Sequence, residues 1–249
     1  MNTLKILLIC FCASMLAACA TKVSGPEAFK NHTAKQILAG GEAALAKHNY
    51  KEATRYFEAI EALYPFDPEA QKGQLDIIYA YYKSDDYASA LAAADRYIHL
   101  YPAGKHTDYA YYMKGIVNFE KDRNWLQKIY TKHSEELDLV TLQESFADFE
   151  TLIKLSPKSF YAKDAEKRML HIRDLLAKRE LQTAKFYFDR KAYIASANRA
   201  SYIVKHLEGA PQIADALKIM IKSYRALGAD KQANDALHLL NLNFPKERV

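Results

Sequence analysis

Cysteine is scarce in this 249-residue chain: Cys10, Cys12 and Cys19 are all there is. Beyond residue 19 no disulfide can form, so packing alone must hold the fold. Glycine (8) and proline (7) are equally sparse, which excludes collagen-like and low-complexity architectures. No run of five like charges occurs and the net charge is only +5, so nucleic acid is not an expected partner. The chain lacks His-Glu-x-x-His, Cys-x-x-Cys, Gly-x-Ser-x-Gly and any glycine-rich phosphate loop. No two of its eight histidines stand three or four residues apart, so no metal site is expected. Glu135, Glu136 and Asp138 read as a solvated loop face ahead of a cation site. No catalytic residue is assigned, and a murein hydrolase or other enzyme finds no site here.

What the chain does have is aromatic bulk, 18 Tyr and 11 Phe within a 50% apolar composition, arranged with a period. Tyr50-x-x-Ala53 returns 37 residues later as Tyr87-x-x-Ala90, and Leu63-Tyr64-Pro65 returns as Leu100-Tyr101-Pro102. Tyr193-x-x-Ser196 repeats the first element, and Ala233 follows Ser196 by 37. An aromatic opening a second helix, a small residue one turn on and a closing proline are the tetratricopeptide (TPR) pattern with slightly long turns. The small residue lets two helices approach closely; proline ends the second. The expected fold is all-α, a TPR-like superhelix of about five helical hairpins over 34–246.

Ten to eleven helices are expected. The first run over about 34–47, 50–64, 67–83 and 86–100, and the third hairpin starts at Thr107 with Tyr109, Tyr112, Ile116 and Phe119 inward. An insertion over 121–140 holds the only tryptophan, Trp125, and a helix follows to Pro157. Residues 159–190 contain neither proline nor glycine, so two consecutive helices or one bent helix fill them. Tyr193–His206, Ile213–Leu227 (capped by Gly228) and Lys231–Asn243 complete the array.

The N-terminus reads as an address. Residues 1–18 combine Lys5, a short apolar core and small residues, a secretory signal too short to span a membrane. Leu16-Ala17-Ala18-Cys19 resembles the bacterial lipobox. That resemblance implies cleavage before Cys19, a diacylglycerol thioether on its sulfur and N-acylation (palmitate among the acyl chains). Residues 19–33 then form a lipidated flexible tether. Because Ala20 stands where Asp would signal inner-membrane retention, the outer membrane of a Gram-negative cell is favoured.

Tyr79 and Tyr82 lie about 60° apart around a helix and share one face, while Tyr81 is directed elsewhere. Hairpin packing accounts for such a cluster. So does a groove for an extended peptide, since tyrosine couples apolar area to a hydrogen-bonding tip. Tyr64, held at the turn before Pro65, is expected to be the most exposed member.

The stretch Tyr64-Pro65-Phe66-x-Pro68, then Gln74-Leu75-Asp76-x-Ile78-Tyr79-Ala80-Tyr81-Tyr82-Lys83, resembles the BamD (ComL) family of TPR lipoproteins. Asp95-Arg96-Tyr97-Ile98, Asp164-Ala165-x-Lys167-Arg168, Leu175-Leu176-Ala177-Lys178 and Asn198-Arg199 extend the likeness over about 36–240. The resemblance implies a five-TPR superhelix on the periplasmic face of the outer membrane, in the β-barrel assembly machinery. The partners it implies are a POTRA domain of BamA, other Bam lipoproteins and the C-terminal segments of unfolded outer-membrane proteins. It makes 34–105 the peptide-receiving half, with Tyr64, Phe66 and Tyr81 at the groove, and 106–246 the docking half. Arg199 would meet a POTRA carboxylate there, an ion pair within the repeat being the alternative, and Arg199→Glu is expected to weaken docking without disturbing the fold. The 121–140 insertion and Leu207-Glu208, where the repeat calls for Tyr-Pro, depart from the family pattern. An adaptor for pilus or peptidoglycan/division machinery is the competing reading.

Overall fold

The computed structural model describes residues 25–121 and 139–248. The signal segment, Cys19, most of the insertion with Trp125, and Glu135, Glu136 and Asp138 lie outside the described residues. Every regular element described is helical: α1 (Ala34–Ala46), α2 (Tyr50–Leu63), α3 (Pro68–Lys83), α4 (Tyr87–Leu100), α5 (Thr107–Glu120), α6 (Leu139–Leu155), α7 (Ala162–Asp189), α8 (Tyr193–His206), α9 (Ile213–Ala226) and α10 (Asp230–Asn243). The expected all-α hairpin class is what the chain adopts. No described helix is long and apolar enough to cross a membrane.

The chain divides into two compact units, residues up to Ser84 and from Asp85 onward, a boundary ahead of the 105/106 division drawn from the sequence. In the first unit α1 and α2 form a hairpin and α3 packs on both; in the second, α5/α6, α7/α8 and α9/α10 are hairpins and α4 packs on α5. The periodic small residues are where the spacing put them: Ala53, Ala90 and Ser196 are fully buried and Ala233 nearly so. Ser196 goes further, its hydroxyl donating to the Ala184 carbonyl at 2.9 Å and so tying α8 to α7.

The periodic tyrosines have a second role. Turns between consecutive helices place His48, Asp85, Lys191 and Gly228 at positive φ (57°, 60°, 61° and 70°). Only Gly228 does so without a Cβ penalty. Tyr50 hydroxyl meets His48 Nδ1 at 3.0 Å and Tyr87 hydroxyl donates to Asp85 at 2.8 Å, so the aromatic that opens the second helix also holds the strained turn residue. The 6→1 bonds Asn49 N to Ala44 O, Ala192 N to Tyr187 O and Ala229 N to Tyr224 O close three of these turns.

One of the two arrangements expected for 159–190 is found, and two other expectations change. Residues 162–189 form one continuous helix, about 42 Å long at 1.5 Å per residue. It packs against α6, its early residues also meeting α5 through Asp164 and Tyr112 (2.7 Å), and its later residues tie to α8. On α5 the buried stripe is Ala110, Met113, Ile116 and Val117, while Tyr109, Tyr112 and Phe119 are only half-buried, because the face carrying Gly115, where Phe149 of α6 approaches, is the one turned inward. Residues 25–33, counted with the tether, carry a short 3-10 turn (Pro26–Phe29) that buries Phe29 4.8 Å from the Tyr56 ring. Leu207, without a proline after it, ends α8 in the backbone conformation of Tyr64, Tyr101 and Phe244 at the other helix ends.

At the α5/α6 contact, Ser145 hydroxyl donates to the Gly115 carbonyl at 2.7 Å and Phe149 lies fully buried over the glycine. A Cβ at 115 would stand 2.5 Å from the Phe149 ring. Overpacking costs about 1–3 kcal/mol, against about 1 kcal/mol gained in helix propensity. In the first unit, Asp76 lies one turn after Lys72, which pairs with Glu42. Burial, helped by the Glu42 charge and opposed by Lys72, pushes the Asp76 carboxyl up to about 6.

Two outcomes follow from this packing. Gly115→Ala should lower the urea unfolding free energy by about 1 kcal/mol; a gain would show that Phe149 moves aside freely. For Asp76 the folded pKa exceeds the unfolded one, so the folded state holds the proton more tightly and stability falls as pH rises through about 4 to 6. Asp76→Asn should therefore exceed the wild type by about 1–2 kcal/mol at pH 7.5 and match it below pH 4 in urea titrations. A pH-independent difference would rule out Asp76 as the titrating group.

Candidate functional site

The first candidate region is the turn between α2 and α3. Tyr64 ends α2 with its N–H on the Ile60 carbonyl, and Asp67 N–H returns to the Tyr64 carbonyl at 3.0 Å. Asp67 then caps α3 by accepting from Glu69 N–H at 2.9 Å, with Pro68 at the first helical position. This turn leaves Phe66 at its tip, 99% exposed. Tyr64, expected to be the most exposed aromatic, is half-buried instead, because its hydroxyl donates to the His32 carbonyl at 2.6 Å and draws the ring under residues 25–33.

Tyr81 stands apart from that turn. Its position is thirteen residues along α3 from Pro68, about 20 Å at 1.5 Å per residue. Its hydroxyl donates to the Glu58 carboxylate of α2 at 2.6 Å. Tyr79 and Tyr82 join Tyr50 in a separate ring group, with centroids 6.3 and 6.4 Å from Tyr79 and the Lys83 ammonium 5.9 Å from the Tyr50 ring and 5.8 Å from the Tyr82 ring. Packing thus accounts for Tyr79 and Tyr82. An extended peptide of about six residues matches the roughly 20 Å of helix from Pro68 to Tyr81, at about 3.3 Å per residue.

The second region is built on α7 and α8. The Ser196 bond to Ala184 fixes α8 against α7, and Arg199 follows three residues on. Arg199 Nη1 reaches both carboxylate oxygens of Glu180 at 3.3 Å, and the Glu180 side chain is only 7% exposed against 47% for Arg199. Tyr187, Asn198, Tyr202 and Gln143 join the pair around an open groove of about 540 Å³. The ion pair within the repeat is therefore present, with a buried partner. This corrects the expectation for Arg199→Glu: the new carboxylate would face buried Glu180, so the fold itself would be disturbed.

Sequence reading missed two features. Glu180 lies 19 residues from Arg199 with no local pattern linking them. Phe160, 91% exposed in the turn before α7, is not among the expected site residues although Pro157 marks that turn. Cys19 lies outside the described residues.

The family model for the YfiO outer membrane lipoprotein matches residues 30–239. A protein of Neisseria meningitidis serogroup B named outer membrane protein assembly factor BamD is 34% identical over 97% of this chain and 92% of its own length. The proteins of that name from Vibrio cholerae (32%, over 92% of this chain and 94% of theirs) and Haemophilus influenzae (30%, over 99% and 93%) are similar throughout as well. Matched from α1 through α10 at this identity, the chain belongs to the YfiO family of outer membrane lipoproteins, together with the assembly factors named BamD.

Proposed function

We propose that this chain is a non-enzymatic, lipid-anchored scaffold for assembling β-barrel proteins at the periplasmic face of the outer membrane. The observation that carries this reading is the end-to-end similarity to outer membrane protein assembly factors, 97% of this chain against 92% of one relative. A lipid on Cys19 holds it at the membrane, since each buried CH₂ contributes about 0.8 kcal/mol and several acyl chains anchor stably. Arg199 docks on a carboxylate of the BamA POTRA region, a role its planar fork suits. Phe66, with Tyr64 and Tyr81, receives C-terminal segments of unfolded barrel proteins; the near-complete exposure of the Phe66 ring at the tip of its turn supports that assignment. Other Bam lipoproteins complete the assembly. No bond is made or broken: tethering a client strand beside the barrel-forming subunit raises its effective concentration there.

A photoreactive residue at position 199 should capture BamA in native outer membranes, and one at position 66 the C-termini of nascent barrel proteins. Absence of BamA at position 199 and at every other position tried on α8 to α10 would overturn the assembly reading. Cys19→Ser should move the chain from the membrane fraction to the soluble periplasmic fraction. Its retention on membranes would show that something other than Cys19 holds it there.

A further inference from the structure

The donor arithmetic around Arg199 reaches beyond the docking residue itself. A guanidinium carries five N–H donors in a rigid fork. Here Glu180 takes bonds from Nη1 alone, with both of its oxygens. Among the described residues Arg199 has no other polar partner, so the Nε and Nη2 edge is unused while nearly half of the side chain faces solvent. That edge is the one that meets a carboxylate side-on with two parallel bonds.

Glu180 is poorly explained as a stabiliser. A buried carboxylate loses its hydration, and bonds at 3.3 Å are longer than the 2.7–2.9 Å usual between charged partners. The helix pair does not need it, because Ser196 already ties α8 to the Ala184 carbonyl. What Glu180 does do is engage one end, Nη1, of a long and otherwise flexible side chain. Its own place is set by continuous α7, and Arg199 lines an open groove together with Tyr187 and Tyr202.

We propose that Glu180 is a positioning residue: by holding Nη1 it presents the Nε–Nη2 edge of Arg199 to an incoming partner carboxylate. This rests on the docking reading of Arg199. The effect opposes simple electrostatics, in which a nearby negative charge only weakens an arginine for acidic partners. Orientation and charge thus predict opposite signs when Glu180 is neutralised.

The test measures binding of the full chain, in detergent micelles, to the purified periplasmic region of BamA by calorimetry. The variants are Arg199→Gln, Glu180→Gln and the two combined. Each single change should weaken binding about tenfold, and the pair together by no more than the larger single loss, as expected for two groups acting as one unit. Side-chain ¹⁵N spectra supply a readout that a merely structural Glu180 would not move. Arg199 should give separate Nη1 and Nη2 signals in the wild type and one averaged signal in Glu180→Gln. Unchanged or tighter binding by Glu180→Gln, or unaltered guanidinium signals, overturns the positioning role while leaving Arg199 as the docking residue. No loss in Arg199→Gln removes the docking reading instead. The double variant buries no unpaired charge, so it separates lost binding from lost fold.

Discussion

Close approach of two helices at a small residue is the constraint on which the other features depend. At Gly115 and Ser196 the approach is close enough for a serine hydroxyl to bond the neighbouring helix's backbone, Ser145 to Gly115 and Ser196 to Ala184. A carbonyl inside a helix already accepts one bond, and its second lone pair is used here, so the contact fixes register as well as distance. Bulk is then placed beside the contact: Phe149 covers Gly115, and Phe57 lies fully buried against Gly41. The aromatics exceed what such tight cores hold. The surplus is pushed to turns and helix ends, where Phe66 and Phe160 stand almost wholly in solvent.

Much of this was legible in the sequence because the signals are local. Asn49, Asp67 and Asp86 each cap the helix that follows, and the prolines after Tyr64 and Tyr101 end those before, so the expected boundaries lie within a residue or two of the observed ones. The 37-residue spacing placed the small contact residues correctly at Ala53, Ala90, Ser196 and Ala233 for the same reason. What was not legible depends on contacts distant in sequence. Tyr64 was expected outward because it adjoins a turn, yet one bond to a carbonyl 32 residues earlier decides its burial. Continuity of α7 is not decided by the sequence, because absent breakers permit either arrangement; packing against α6 and then α8 along its length selects one. Glu180 gave no signal at all, being one acidic residue in a helix rich in charge.

The charged groups divide by how they are compensated. Lys114 bridges Asp95 and Asp148 at 2.7 and 3.4 Å, and burial raises the Asp148 pKa despite that bridge and the bond from Asn118. Asp76 shows the same imbalance in the first unit, with a carboxyl pushed up to about 6. These are costs the fold tolerates, since exposed pairs such as Arg55 with Glu52 contribute only about 0–1 kcal/mol in return. Stability therefore comes from the apolar contacts, with charge setting orientation and pH response.

The same reasoning decides how a substitution at Arg199 is read. Replacing a buried ion pair by well-packed apolar groups is often neutral or better, whereas removing one member leaves a charge stranded at a cost of about 3–5 kcal/mol. Loss of binding after a change at Arg199 alone therefore mixes two effects, a missing fork and an uncompensated Glu180 in the α7/α8 contact. Charge reversal adds repulsion between two carboxylates across that contact. Neutralising both partners removes the stranded charge and keeps only the missing fork. The pair, and not the arginine, is the smallest unit whose removal has a single physical meaning.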